Sequence, residues 1–239
     1  MGAALNWRAR YRKPLDVVRF PWRFAWAAAD RLGCFGKPAI DSSPHLNPVA
    51  LARWRDAIGR SRVYLEYGAG GSTVEAVQSV SHVLSVETNR RYLESVEARV
   101  AAIPQRGAFH PIYVDIGWTA PWGRPLVTWN VKARVERWRR YPAAPWTELG
   151  DLQLVPDFVF IDGRFRAASI LESFLSLPVG ADCLFMLDDY DARTGDYGRA
   201  LAFATGVKEF DRTITFRRDP AFDREVCRQL LERLYCDPD

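Results

Sequence analysis

The stretch from residue 63 to residue 76 reads VYLEYGAGGSTVEA, and it decides the fold. Its first five residues are β-branched, aromatic or aliphatic apart from Glu66, which is typical of a buried strand. Three glycines follow within four positions, and Ser72 or Thr73 can then cap a helix. A strand, a glycine turn and a helix start form the ligand site at the end of the first strand in doubly wound α/β folds. The glycines allow close backbone approach to a ligand, and N–H groups at the helix start favour an anionic group.

The strands predicted after this turn end in acidic residues. Strands two to five end at Glu87, Asp115, Asp162 and Asp188. Because parallel strands end at one edge of a sheet, these acids predict ligand binding along that edge. Glu87 lies 19 residues after Gly68, near the distance at which such folds place a carboxylate for ribose hydroxyls.

Strands alternate with helices along the chain, in the order of a doubly wound fold. The 239 residues are enough for one substantial α/β domain with additions. We predict a Rossmann-like, mostly parallel sheet of about seven strands with helices on both faces. We expect a basic, aromatic extension over residues 1–47 and a single α/β domain over residues 48–239. A tryptophan-rich insertion is expected at about 117–155.

Two segments combine aromatic and basic residues. In the extension, the sequence predicts a short helix over about 22–32 that ends at Gly33. The extension is interpreted either as a peripheral membrane or partner contact or as a segment packed on the core. In the insertion, residues 131–140 predict a short basic helix. Its tryptophans and arginines suit a sugar, an aromatic ring or an acidic substrate, or they pack as a flap on the core.

Composition and charge exclude several classes of protein. The hydrophobic fraction of 48% and charged fraction of 26% are ordinary for a globular protein. The net charge of +4 is concentrated before the glycine turn and favours a solvated face, with no strong nucleic-acid signal. The four cysteines form no C-x-x-C pair, so no zinc site is expected. No apolar run approaches the length of a transmembrane helix, and we expect a cytoplasmic protein.

The residues above resemble the class I S-adenosylmethionine-dependent methyltransferase superfamily over about residues 48–217. The acid-x-Gly-x-Gly pattern of that superfamily is met from Glu66 to Gly70. The dinucleotide pattern G-x-G-x-x-G is not met, because Thr73 stands at its last position. Ile-Asp-Gly at 161–163 and Asp-Asp-Tyr at 188–190 are similar to small bacterial O-methyltransferases of the methyltransferase-24-like branch.

The resemblance implies a role for each candidate residue. The cofactor S-adenosylmethionine would contact Glu66, Gly68, Gly70, Gly71, Glu87, Asp115 and Ile116. Asp162 and Asp189 would face the methyl group as catalytic residues. Metal-dependent members bind a divalent ion at these strand ends, which makes Asp162, Asp188 and Asp189 candidate Mg²⁺ ligands. The candidate substrate-binding residues are Arg164, Trp118 and Trp122.

One departure from the family pattern affects these roles. Arg164 and Phe165 replace the second acid and the histidine that the family carries after the glycine. An arginine there could repel a metal, pair with Asp162 or Asp188, or bind a carboxylate or phosphate of the substrate. The leading hypothesis is methyl transfer to a hydroxyl, or secondarily an amine, of a small-molecule or sugar acceptor. The alternatives are a catalytically silent adenosyl-binding protein and a nicotinamide-dependent oxidoreductase, which Thr73 disfavours.

Overall fold

A seven-stranded sheet forms the centre of the molecule. The structure is a computed structural model that describes residues 18, 20–129, 131–190 and 194–238. The strands are β1 (Val63–Tyr67), β2 (His82–Glu87), β3 (Ala108–Tyr113), β4 (Thr119–Ala120), β5 (Arg124–Pro125), β6 (Phe158–Ile161), β7 (Leu184–Leu187), β8 (Ala204–Phe210) and β9 (Thr213–Arg218). The main sheet has the order β3-β2-β1-β6-β7-β9-β8. Its first five strands are parallel, whereas β9 and β8 are antiparallel. The strands β4 and β5 form a separate small hairpin.

Helices cover both faces of this sheet. They are α1 (Pro21–Leu32), α2 (Pro48–Arg60), α3 (Gly71–Ala76), α4 (Arg90–Ala101), α5 (Lys132–Asp151), α6 (Arg166–Ser176), α7 (Thr194–Leu201) and α8 (Arg224–Leu234). Side chains alternate across each strand, so that Leu65 joins a core with α5, α6, α7 and α8. Tyr64 joins the opposite core with α2, α3 and α4. The predicted fold class is therefore confirmed.

The register of the parallel strands brings their carboxyl ends to one level. Tyr67 of β1 pairs with Ile161 of β6, and Ile161 pairs with Leu187 of β7. The next residues, Asp162 and Asp188, donate their N–H groups back to the preceding strands. The chain therefore leaves β1, β6 and β7 at adjacent points, and the residues that follow these strands share one edge of the sheet.

The third strand is shorter than the sequence predicted. We expected a strand that ends at Asp115 and Ile116, but β3 ends at Tyr113. Asp115 instead lies in a loop, where its carboxylate accepts hydrogen bonds from the N–H of Gly117 (2.9 Å) and from Arg31 (3.2 Å). A turn at Gly117, with φ +104°, then directs the chain into β4.

The insertion contains one long helix. We predicted a short helix over 131–140, whereas α5 spans 20 residues and includes Pro142 and Pro145. Trp138 and Tyr141 on this helix are fully buried beside Phe165, with ring centroids 5.5 and 5.8 Å away. This packing holds the helix together across the two prolines, although each proline removes a backbone donor.

The described part of the N-terminal extension packs on the insertion. Helix α1 ends at Gly33, as predicted, and places Ala27 in a small core with Ala120 and Leu126 of the insertion. Arg91 of α4 donates to the carbonyl of Asp30 at 2.5 Å, which anchors the end of α1. The predicted features of residues 1–17, and Asp191 at the expected end of the fifth strand, lie outside the described residues. None of the helices in the described part of the chain is long and apolar enough to span a bilayer.

Candidate functional site

A cavity of about 1030 Å³ opens at the carboxyl ends of the parallel strands. Ligand pockets commonly measure about 300–1,000 Å³, so this one can hold a cofactor together with a small acceptor. Its walls come from residues at and after the ends of β1, β2, β6 and β7, from the insertion, from α4 and from residues 41–45. The predicted residues that line it are Gly68, Gly70, Gly71, Glu87, Trp122, Asp162, Arg164, Asp188 and Asp189. Glu66, Asp115, Ile116 and Trp118 are not among the lining residues.

The glycine turn after β1 lets two other parts of the backbone approach. Gly68 has φ +103°, and a Cβ there would lie 3.0 Å from the nitrogen of Gly163 after β6. A Cβ on Gly71 would lie 2.0 Å from the carbonyl oxygen of Ser43. Segment 41–45 therefore crosses the start of α3 at a distance that only glycine allows. Asp41, Ser43, Pro44 and His45 of this segment line the cavity.

Glu66 lies beneath the glycine turn and is fully buried. Its Oε1 accepts hydrogen bonds from the hydroxyls of Thr73 and Ser85, and its Oε2 accepts one from Tyr64 at 2.9 Å. Thr73 Oγ1 in turn accepts the N–H of Gly70 at 2.9 Å. Burial raises the pKa of Glu66 to about 7, although these hydroxyls favour the charged form. Glu66, the acid of the motif, thus helps to fix the conformation of the glycine turn through its hydrogen bonds.

Glu87 lies at the end of β2 and lines the cavity. Its Oε1 accepts the N–H of Thr88 at 2.6 Å and the N–H of Asn89 at 2.9 Å. These two backbone bonds fix the carboxylate in place. Burial raises the pKa of Glu87 above its usual value, while the backbone N–H groups and the charge of Arg164 act in the opposite direction.

Three carboxylates meet where β6 and β7 end. Asp162, Asp188 and Asp189 each offer an oxygen, and these oxygens lie within 4.8 Å of one another. Arg166 donates to Asp162 at 2.8 Å, and Arg212 donates to Asp189. Asp188 Oδ1 accepts the hydroxyl of Thr213 at 2.8 Å. Burial, followed by the charge of Asp162, raises the pKa of Asp188 to about 6.

These residues do not fit a resident magnesium ion. Three carboxylates have the right donor type, because Mg²⁺ prefers oxygen ligands. However, the guanidinium of Arg166 already bonds to Asp162 Oδ1 and lies 3.7 Å from Asp189 Oδ2. A fixed positive charge at that position repels a cation. The Mg²⁺ site that the resemblance implied is therefore not supported.

The two predicted substrate-contacting tryptophans lie in different surroundings. Trp122 is at the tip of the insertion, 72% exposed, and lines the cavity. The guanidinium of Arg124 lies 5.8 Å from its ring. Trp118 packs instead against Phe24 of α1, with ring centroids 6.1 Å apart, beneath the guanidinium of Arg31. Trp118 thus joins the insertion to α1.

Several lining residues were not predicted. Arg166 is buried beneath the acids, and its only signal in the sequence was its nearness to Asp162. Tyr92 and Tyr141 line the cavity from α4 and α5, where their spacing was that of ordinary helical residues. Segment 41–45 carried no motif. Its contribution depends on a contact across the fold.

Comparisons with known proteins agree with this architecture. No protein-family model and no curated protein sequence matches the chain. A methyltransferase-like protein from Silicibacter pomeroyi is similar at 28% identity, with a TM-score of 0.72 over 84% of this chain and 100% of that one. An O-methyltransferase from Bacillus cereus in complex with SAH matches at 14% identity and a TM-score of 0.49, over 84% and 91% of the two chains. A putative caffeoyl-CoA O-methyltransferase from Staphylococcus aureus matches at 14% identity and a TM-score of 0.49, over 87% and 92%.

The first of these similarities confirms the resemblance stated from the sequence. It extends over most of both chains, and the seven-stranded, mostly parallel sheet with a glycine turn between β1 and α3 is the one that the sequence predicted. The chain has the fold of the class I S-adenosylmethionine-dependent methyltransferases and resembles members of that superfamily.

Proposed function

We propose that this protein transfers a methyl group from S-adenosylmethionine to a hydroxyl of a small-molecule or sugar acceptor. One observation carries the proposal. A single cavity is lined at one side by the glycine turn and the fixed carboxylate of Glu87, and at the other by Asp162, Asp188 and Asp189. The first set suits an adenosyl cofactor, and the second set suits proton removal from an acceptor.

The residues present fit the cofactor. Gly68, Gly70 and Gly71 bring bare backbone to the cavity wall, and Glu87 offers a carboxylate to ribose hydroxyls. When bound, S-adenosylmethionine supplies an electrophilic methyl group on a positively charged sulfur. We assign Glu66 an indirect role, because its hydrogen bonds hold Thr73 and through it Gly70.

The end of β3 has a smaller part in this proposal than the resemblance implied. Asp115 is tied to Arg31 and Gly117, and the carbonyl of Ile116 accepts the indole N–H of Trp138 at 3.0 Å. We therefore assign these two residues to the junction between β3, α1 and α5. We assign contact with the adenine instead to the tip of the insertion, where Gly123 lies next to Thr88 and Glu87.

The carboxylates differ in their fitness to accept a proton from the acceptor. Asp162 and Asp189 are engaged by the guanidinium groups of Arg166 and Arg212, so each already has an oxygen occupied by a charged donor. Asp188 is held by the neutral hydroxyl of Thr213, and its pKa near 6 is supporting evidence. We therefore assign proton removal to Asp188, with Asp162 and Asp189 orienting the acceptor.

Acceptor recognition is assigned to the insertion and to the loop after β6. Trp122 offers an exposed ring at the rim, the guanidinium of Arg124 lies 5.8 Å from it, and Arg164 lines the same cavity. An aromatic face beside two guanidinium groups suits a sugar ring or a planar phenolic acceptor that also carries an anionic group.

Calorimetric titration with S-adenosylhomocysteine tests the proposed cofactor site. We expect saturable one-to-one binding by the native protein and at least about tenfold weaker binding by Glu87→Ala, because a charge-assisted hydrogen bond to the ribose is lost. Glu94→Ala is the matched control, because Glu94 is an exposed residue of α4 that does not line the cavity.

The same titration separates the alternatives. Absence of binding by correctly folded native protein would remove the methyltransferase proposal. Binding that persists unchanged in Glu87→Ala would show that the cofactor does not contact Glu87 at the end of β2. Binding without turnover on a panel of hydroxylated acceptors would favour the catalytically silent adenosyl-binding protein. Saturable binding of NADH, with none of S-adenosylhomocysteine, would favour the oxidoreductase.

A further inference from the structure

Arg166 is a buried arginine among the carboxylates at the ends of β6 and β7. Its side chain is only 2% exposed, although it is the first residue of α6. Nε donates to the carbonyl of Gly163 at 3.0 Å, and Nη1 donates to the carbonyl of Asp188 at 2.5 Å. Nη2 donates to both the carbonyl and the carboxylate of Asp162, at 2.9 and 2.8 Å. All three nitrogens of the guanidinium are therefore engaged by the loops that end these two strands.

The carboxylates around Arg166 need a positive charge. Asp162, Asp188 and Asp189 lie close enough for their charges to repel one another. A buried arginine needs anions just as strongly, because an unpaired charge away from water is costly. Arg166 meets the first need with a charge that is permanent at any physiological pH. The positive charge of Arg166 and the negative charges of the acids thus compensate each other.

A divalent ion and this guanidinium compete for the same oxygen. Mg²⁺ binds carboxylate oxygens at about 2.0–2.1 Å and requires near-octahedral geometry. Asp162 Oδ1 already lies 2.8 Å from Nη2 of Arg166. An ion on that oxygen would lie next to the guanidinium, and two positive charges at that separation repel strongly in a partly buried site. Arg166 is held by the carbonyls of Gly163 and Asp188 as well, so it is not free to move aside.

We propose that Arg166 is the built-in counter-cation of this carboxylate cluster and excludes divalent metal from it. Arg166 is a positioning residue: it holds the loops of Asp162 and Asp188 at a fixed separation beside the cavity. The inference stands apart from the proposed methyl transfer, because metal binding is measured without any acceptor or cofactor.

Titration with manganese chloride, followed by electron paramagnetic resonance, tests the exclusion. We expect no saturable Mn²⁺ binding by the native protein in the micromolar range. Arg166→Ala removes the competing charge, and we expect one Mn²⁺ per chain with affinity raised about tenfold or more. The gained binding should disappear in the double variant Arg166→Ala/Asp188→Asn. Arg228→Ala is the charge-matched control, because Arg228 pairs with Glu225 on α8 away from the cavity.

Two results would overturn the proposal. One is saturable one-to-one Mn²⁺ binding by the native protein that Asp188→Asn abolishes, and this measurement needs no variant of Arg166. The other is folded Arg166→Ala protein, verified by circular dichroism, that still binds no Mn²⁺. Arg166→Gln provides a second variant for the same comparison, because a glutamine removes the charge and truncates the side chain less than alanine does, with an amide donor retained.

Discussion

At the scale of single residues, Glu66 links the glycine turn to the core. It accepts hydrogen bonds from Tyr64, Thr73 and Ser85 while fully buried. Its pKa is raised from 4.5 to about 7 by burial. In the pH range between these values, the folded protein binds a proton that the unfolded chain has released. The contribution of Glu66 to the free energy of unfolding is therefore fully present below about pH 4.5 and is lost as the pH rises through about 7.

We expect Glu66→Gln to reduce this pH dependence. As the pH rises from 4.5 to 7, ionisation of Glu66 should lower the free energy of unfolding of the native protein by about 3 kcal/mol. The amide cannot ionise, so the variant should lack that loss. Urea denaturation at several pH values measures the difference. The control is the exposed Glu94→Gln, whose free energy of unfolding should change with pH as that of the native protein does. The same pH dependence for Glu66→Gln would show that Glu66 stays ionised in the folded protein.

Asp188 is the residue on which the chemistry of the proposed function depends. We expect Asp188→Asn to lower turnover by about a hundredfold or more, the usual contribution of a general base, while S-adenosylhomocysteine affinity stays within about threefold. Native turnover should rise with pH through about 6, because only the carboxylate accepts a proton. Transfer of a radiolabelled methyl group to an acceptor from the screening panel measures both effects.

The control for this variant is Asp182→Asn, because Asp182 is 80% exposed and lies outside the cavity. It should turn over at the native rate with the native pH profile. Full turnover by Asp188→Asn would return proton removal to Asp162 or Asp189, which the resemblance favoured.

At the scale of secondary structure, α5 is tied to the central strand next to its two internal prolines, Pro142 and Pro145. Tyr67, the last residue of β1, is fully buried beneath this helix. Its hydroxyl donates to the carbonyl of Pro142 at 2.8 Å and accepts the indole N–H of Trp146 at 3.0 Å. One hydroxyl thus satisfies groups on both sides of the Pro142–Pro145 segment and connects the insertion to the central strand.

We expect Tyr67→Phe to destabilise the protein by about 1–3 kcal/mol, because it removes a buried donor to the Pro142 carbonyl and the acceptor of the Trp146 indole N–H. Urea denaturation monitored by tryptophan fluorescence measures the change. Tyr113→Phe is the matched control on β3, where the side chain is only partly buried, and we expect less than about 0.5 kcal/mol. Equal effects in the two variants would show that the bonds to α5 contribute no specific stability.

At the scale of the whole molecule, the sheet could be predicted because its signals are local. Apolar runs followed by glycine or an acid located β1, β2, β6 and β7 within a few residues. The helix α5 was underestimated, because prolines are local stop signals and the bonds from Tyr67 come from a distant strand.

The candidate site was predictable where a residue directly follows a strand. Gly68 and Asp162 are such residues, Glu87 is the last residue of β2, and all three line the cavity. Asp115 does not, because β3 ends two residues earlier and Arg31 binds its carboxylate. Segment 41–45 could not be predicted, because its position depends on the approach of Ser43 to Gly71 across the fold. Arg166 had no pattern of its own either.

The guanidinium of Arg166 also bears on how the protein matures. The carboxylates of Asp162 and Asp189 are paired with a side chain that is synthesised four residues after the first and 23 residues before the second. The charge balance of this cavity is therefore complete when translation and folding are complete. We expect no metal-loading step, and the fraction of correctly assembled protein should be the same in magnesium-poor and magnesium-rich cells.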